Sequence, residues 1–353
     1  MYWLSTLFTY AASQMDTMIK GWLIFKMTGS AANLGMVTMA AGIPLIISSI
    51  FGGIVADRVN RMKLLLITQG LAMLFALTMT VLLATGMIQF WHFILLSALQ
   101  GTTFAFIAPL RQSIVARLVH PENLMSAVAL GSTSFNIMGI LGPAAVGLLL
   151  TFMLPHQVYS IIVSGYFCGA VMLAFIKLPR DNNLTSRPFH LELGEGFRFI
   201  LGNRRILGLL LIALVSSFFI IPFIYMMPAL ASAVLHVDQV GFGFLCAAGG
   251  VGAMIGSLIA ASMTGIKNKG AWVLALMMVY GIFVALSAQF QLYHVSLLLV
   301  LCAALTGTIY MTMCNTLILA STPANIHGRV ISIFTMTIGL TPIGALPMGA
   351  EAD

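Results

Sequence analysis

The chain has 353 residues, 60% hydrophobic and 7% charged, with a formal net charge of +7. An average soluble domain carries about 25% charged residues, so this chain cannot cover a water-facing surface and reads as an integral membrane protein. The basic excess is not a nucleic-acid footprint, because the cations collect in alternate loops.

A membrane helix needs about 20 mostly apolar residues. Eleven runs qualify: 2–27, 31–56, 64–85, 91–116, 124–152, 157–178, 206–234, 240–265, 270–290, 293–319 and 328–350. Thirteen of the 16 Lys and Arg fall after spans two, four, six, eight and ten, while the loops 86–90, 153–156, 235–239 and 291–292 hold none. The positive-inside rule then places the N-terminus and the central loop in the cytoplasm. Cys168, Cys246, Cys302 and Cys314 stand singly in apolar runs. Without C-x-x-C or Cys/His metal spacing they are expected as free thiols, with no metal bound.

On span one, Thr9, Ser13, Asp16 and Lys20 step by four, three and four into a polar stripe. In lipid such a stripe must face inward, and it is expected to line a translocation cavity. Asp16 and Lys20 either neutralise each other as an i,i+4 pair or form a proton or cation site. After span two comes "GGIVADRVNRMKLL", Gly52 to Leu65, one acid and three cations between two nearly uncharged runs. Arg111 lies inside the cytoplasmic end of span four. Three readings stand: it snorkels, it holds Asp57 or Glu122, or it binds an anionic substrate group.

Span five carries "GILGPAAVG" (139–147), with Gly139, Pro143 and Gly147 on one face and Ser132 and Asn136 before them. Span eight offers Gly249, Gly252, Gly256 and Ala260 as a matching small face, so the two are expected to form the seam between halves. Between spans six and seven, "HLELGEGFRFILGNRR" (190–205) reads as an amphipathic surface helix with Leu193, Phe197 and Ile200 on one side. Span seven places Pro222 and Pro228 around Tyr225, either a stacking platform or a packed side chain. Span ten offers Thr308, Thr312 and Asn315 as an uncharged wall.

At an offset of 202, "LVHPENLMSAVAL" (118–130) matches "ASTPANIHGRVIS" (320–332), and Gly142 and Gly147 meet Gly344 and Gly349. Parallel six-helix repeats of this kind build one large class of transporters. The expected organisation is a bundle over 1–178, a cytoplasmic linker over 179–205 and a second bundle over 206–353.

The loop after span two resembles the G-x-L-A-D-R-x-G-R-R/K motif of the major facilitator superfamily, matched by Gly53, Ala56, Asp57, Arg58, Arg61 and Lys63. Val55 replaces Leu, and Asn60 replaces Gly, a mild change where a left-handed turn is needed. Gly139, Gly142, Pro143 and Gly147 are similar to the export motif of that superfamily. "WLIFKMTGSAANLG" (22–35) and "HGRVIS" (327–332) resemble the branch of macrolide-type drug and enterobactin exporters. Such exporters often carry R-x-x-Q-G on helix four, where this chain has "SALQG" with Ser97 in place of Arg. The resemblance implies an all-α fold of two pseudo-symmetric six-helix bundles, with eleven spans visible and the twelfth expected to be missing. Asp57, at the end of span two, is expected to latch the halves through the N-terminus of span eleven at Gly328.

The expected function is export of amphipathic small molecules across the inner membrane by proton antiport. The partners are substrate, protons and membrane lipid, the protein acts as a monomer, and no cofactor is needed. Uptake, lipid flipping and a non-transporting sensor are the rival readings. An enzyme is not expected, because one carboxylate alone lies at membrane depth. An ATP-binding G-x-x-x-x-G-K-[ST] loop is also absent from the sequence.

Overall fold

The computed structural model describes residues 1–58, 60–120, 124–176, 198–263, 268–323, 330, 333–334, 336–337 and 340–352. Side chains are described at all of these except 49–58, 108–109, 112–113, 116–117, 124–126, 128–129, 132 and 350–352. In the first half the helices are α1 (Tyr2–Thr28), α2 (Ala31–Arg58), α3 (Arg61–Ala84), α4 (Phe90–Leu118), α5 (Leu124–Phe152) and α6 (Pro155–Ala174). The second half holds α7 (Arg204–Phe219), α8 (Phe223–Ala229), α9 (Gln239–Ser262), α10 (Lys269–Gln289), α11 (Tyr293–Ser321) and α12 (Thr341–Ala352). Among the described residues, nine segments are long and apolar enough to cross a membrane. α1 has the length but falls outside that set, because its polar stripe dilutes its apolar surface.

Lipid offers no partner to backbone N–H and C=O groups, so each span satisfies them within its own helix. The ends are closed locally. Gly29 adopts φ 64°, where glycine carries no steric penalty, and its N–H donates to the Phe25 carbonyl to end α1. Asn60 has φ −59° and its side chain accepts from the N–H groups of Met62 and Lys63. It therefore serves as the N-cap of α3, not as the left-handed turn residue expected from its place in the motif. Asn203 and Asp238 cap α7 and α9 in the same way.

Predicted span seven is broken. Helix geometry stops at Phe219, resumes at Phe223, and widens into a π-helical turn over Leu230–Val234. Pro222 lacks the N–H that a continuous helix would use, which sets the break. The π-turn shows as the Leu235 N–H bonding the Leu230 carbonyl at 2.9 Å.

Call the end of the molecule bearing Met1 proximal and the opposite end, with residues 85–89, 235–238 and 290–292, distal. α5 packs on α9 and α12 on α2, and these two seams join the halves. Both lie toward the distal end. A methyl added at Gly243 would sit 3.0 Å from the Pro143 carbonyl oxygen and 3.1 Å from Gly147 Cα. One added at Gly250 would sit 3.0 Å from the Gly139 carbonyl oxygen. The α9 side of the seam is thus Gly243 and Gly250, a correction to the expected face. Gly252 and Gly256 abut the Leu301 and Leu305 carbonyls of α11, and Gly249 lies against Val300. That face glues α9 to α11 within the second half.

The 202-residue offset also governs packing. Gly147 meets the first turn of α9 at Gln239, and Gly349 meets the first turn of α2 at Ala31. Gly142 approaches Gln14 on α1, and Gly344 approaches Phe218 on α7. Of the predicted surface helix, residues 198–202 are described and helical; Leu193 and Phe197 lie outside the described residues. Ile200 is buried in the core of the second half with Ile206 and Leu210, so this end of the linker is held by the bundle.

Candidate functional site

The α1 stripe faces the interior of the first bundle. Lys20 Nζ donates to Asp16 Oδ2 at 3.0 Å and also to Gln100 Oε1 on α4, while Gln100 Nε2 donates to the same Asp16 oxygen at 2.8 Å. Asp16 is 4% exposed. An ion pair this deep loses most of its hydration, and only close geometry with further hydrogen bonds compensates. Gln100 supplies both a donor and an acceptor to the pair. Tyr159 and Tyr166 of α6 are buried in the same core, and Tyr166 borders the space beside Asp16 and Lys20. The Tyr159 hydroxyl is buried with no hydrogen-bond partner.

One to two turns toward the proximal end, a second polar group joins three helices. Gln69 Nε2 on α3 donates to Thr9 Oγ1 at 2.8 Å and to the Tyr166 carbonyl at 3.3 Å. Thr9 in turn donates to the Ser5 carbonyl, and Ser5 Oγ to the Gly169 carbonyl at 2.7 Å. Gly169 is needed there, since a methyl on it would lie 2.7 Å from Thr9 Oγ1. Gln69 Oε1 is left without a partner.

Between these groups lies a small cavity, lined by Thr9, Tyr10, Ser13, Thr68, Gln69, Gln100, Thr103, Phe104, Arg111 and Tyr166 among others. All of its lining residues belong to the first half. A smaller space beside it is bordered by Asp16 and Lys20, with Gln100 and Tyr166 among the residues shared between the two. Arg111 is 7% exposed and its guanidinium lies 4.9 Å from the Tyr10 ring centroid. It does not snorkel; it points into the bundle.

The predicted site residues therefore separate. Thr9, Ser13, Asp16, Lys20 and Arg111 come together inside the first bundle. Asn136 is half-buried on α5, and Tyr225 on α8 packs against the main apolar core. Thr312 and Asn315 are exposed on α11 and line neither space. In the export motif, Gly139 and Gly142 also face Gln14 of α1. Arg61 is half-buried and Lys63 exposed at the start of α3. The side chains of Gly53, Asp57 and Arg58, and the whole of Gly328, lie outside the described residues.

Gln69, Gln100, Tyr159 and Tyr166 are members that sequence reasoning did not pick. Gln69 and Gln100 each interrupt a long apolar run, a signal of the same kind as Asp16 but without its charge. All four cysteines are free, as their spacing suggested.

The family model described as transmembrane secretion effector matches residues 1–353. The chain is 28% identical to the enterobactin exporter EntS of Shigella flexneri over 339 residues, 92% of this chain and 78% of that one. It is 23% identical to the multidrug efflux pump Tap of Mycolicibacterium fortuitum over 355 residues, 94% and 83% of the two chains. Among solved structures, a bacterial homologue of the human lysosomal transporter Spinster, inward-facing and unoccupied, superposes with a TM-score of 0.74 at 15% identity. That match covers 99% of this chain and 81% of the other. The chain belongs to the transmembrane secretion effector family of the major facilitator superfamily, and it is a multi-pass membrane transporter, not an enzyme.

Proposed function

We propose that the protein exports amphipathic small molecules, of drug or siderophore type, across the inner membrane by alternating access, using the proton gradient through Asp16. The observation that carries this reading is the buried Asp16–Lys20–Gln100 cluster. A proton arriving on Asp16 removes the charge that holds Lys20, and the ammonium must then find another partner in a dry interior. Protonation and side-chain packing of the first bundle are coupled by that demand. The export direction is supported by relatives whose names describe an exporter and an efflux pump. The positive-inside distribution supports a cytoplasmic N-terminus and central loop. The protein works as a monomer, in contact with lipid on all sides.

The test is accumulation of fluorescent dyes and antibiotics in inside-out vesicles under an imposed proton gradient, comparing the chain with Asp16→Asn. Gradient-driven uptake that disappears in the variant is the expected result. Uptake that persists in Asp16→Asn would reduce Asp16 to a structural partner of Lys20. Uptake without the gradient would remove proton antiport.

A further inference from the structure

A buried ammonium needs an acceptor in every protonation state of its partner. Lys20 Nζ has two, Asp16 Oδ2 at 3.0 Å and Gln100 Oε1. Lys20 only donates and ionised Asp16 only accepts, so one orientation of the Gln100 amide serves both. It sets Oε1 toward Lys20 and Nε2 toward Asp16 Oδ2, at 2.8 Å. Both bonds to the carboxylate end on Oδ2, and among the described residues none ends on Oδ1. A proton on Oδ1 leaves Oδ2 as a carbonyl oxygen that still accepts from Gln100. It cancels the charge that Lys20 faces, but the Gln100 oxygen stays in place.

The backbone that carries Gln100 is fixed, because the next residue, Gly101, packs directly on the Ala41 carbonyl of α2. Ala72, Ala76 and Leu96 line the space around the pair with apolar surface, and Tyr166 of α6 borders it. The other titratable groups on this side are the unpartnered hydroxyl of Tyr159 on α6 and, in the adjoining cavity, Tyr10 and Arg111. α5, α8 and α9 hold no charged residue, and the charged residues of α2 and α3 stand at their ends. We propose that Gln100 is a positioning residue for proton coupling, which holds the Lys20 ammonium while Asp16 Oδ1 carries the proton. The buried cation then keeps an acceptor throughout the cycle, and the Lys20–Gln100 contact outlasts the ion pair. The proposal rests on the reading of Asp16 as the proton site.

Equilibrium unfolding of the full chain by SDS in mixed micelles gives a cycle of Lys20→Met and Gln100→Met. It is run with Asp16 and again with Asp16→Asn, the stand-in for the protonated acid. With Asp16→Asn the Lys20–Gln100 coupling should be no smaller than with Asp16, about tenfold in the unfolding equilibrium, the size of a hydrogen bond to a charged group. A coupling that disappears in Asp16→Asn overturns the proposal. Gradient-driven dye uptake into inside-out vesicles is the second measure, with the lumenal pH varied. Gln100→Met should move half-maximal uptake toward acid by about one pH unit, because protonation then strands a buried cation. Gln100→Glu keeps an oxygen on Lys20 and should restore uptake at neutral pH. A loss in Gln100→Met that is equal at every pH marks a structural role and overturns the proposal. A shift toward alkaline pH does the same, since Gln100 would then serve the carboxylate instead. A wild-type chain without gradient-driven uptake would end the transport reading and the coupling role with it, whereas a vanished cycle beside intact Asp16-dependent uptake would end this proposal alone.

Discussion

The α5–α9 seam allows a prediction of magnitude. In Gly147→Ala the new methyl would lie 2.8 Å from the Gln239 carbonyl oxygen and 3.1 Å from Gly243 Cα. Both neighbours are backbone, so neither swings aside, and the helices must part by about 0.6 Å to recover ordinary contact. Overpacking of this kind costs about 1–3 kcal/mol, and the better helix propensity of Ala offsets up to about 1 kcal/mol of it. A net cost of about 1–2 kcal/mol falls on the arrangement with the distal seam closed, and shifts the population about 5–30-fold toward one in which it opens. Spin labels at Met87→Cys and Leu292→Cys, both exposed near the distal loops, report that opening as an inter-label distance. The four native cysteines are first replaced by alanine. Gly131→Ala is the control on the same helix, because no atom lies within 4 Å of its added methyl. The long-distance population should grow in Gly147→Ala and stay unchanged in Gly131→Ala. Identical distributions in all three proteins would show that the seam yields freely, and the close-packing argument would fail.

Lys20→Met should lower thermal stability by about 3–5 kcal/mol, since it strands a buried carboxylate. Adding Asp16→Asn to it should recover most of that loss, and a double variant as unstable as the single would contradict a paired role. Asp238→Ala should cost about 1 kcal/mol through loss of the cap to the Gly241 N–H at 3.0 Å, while Asp238→Asn stays near wild type. Tyr293→Phe removes a hydroxyl that donates to the Gly241 carbonyl at 3.0 Å and should cost about 0.5–1.5 kcal/mol. Because both bonds hold one residue, the Asp238→Ala/Tyr293→Phe pair should be less than additive in unfolding measurements.

The spans were legible because lipid imposes a length and an apolar composition on each, and the ends of α1, α2 and α5 fall within two residues of the expected ones. The break in span seven was foreshadowed by Pro222. The π-turn over Leu230–Val234 was not, because it depends on which carbonyl an N–H selects and leaves no compositional trace. The partners of the α1 stripe were not legible for a related reason. Periodicity shows that Thr9, Asp16 and Lys20 share a face but not which helix that face meets. Their partners Gln69 and Gln100 lie 60 and 80 residues away from Thr9 and Lys20, on other helices. The seam on α9 was misplaced because its glycines mark two faces, and composition alone does not say which one meets α5 and which meets α11.

The two halves repeat their packing but not their chemistry. At the offset that superposes Gly147 on Gly349, Asp16 falls on Phe218, Lys20 on Pro222, Gln100 on Cys302 and Arg111 on Met313. Each of these four positions carries an apolar side chain or a thiol in the second half. The replacement at Lys20 has a mechanical consequence. Where α1 runs unbroken through its ion pair, the equivalent position of span seven is the proline at which the helix stops and restarts. These two helices then meet near the distal end: a methyl on Gly21 would lie 3.1 Å from Pro228, and Trp22 stacks on Phe242 of α9 at 5.5 Å between ring centroids. Gly21 and Trp22 directly follow Lys20 in the chain. The Asp16–Lys20 pair is thus one residue away in the chain from the point at which α1 meets the broken helix.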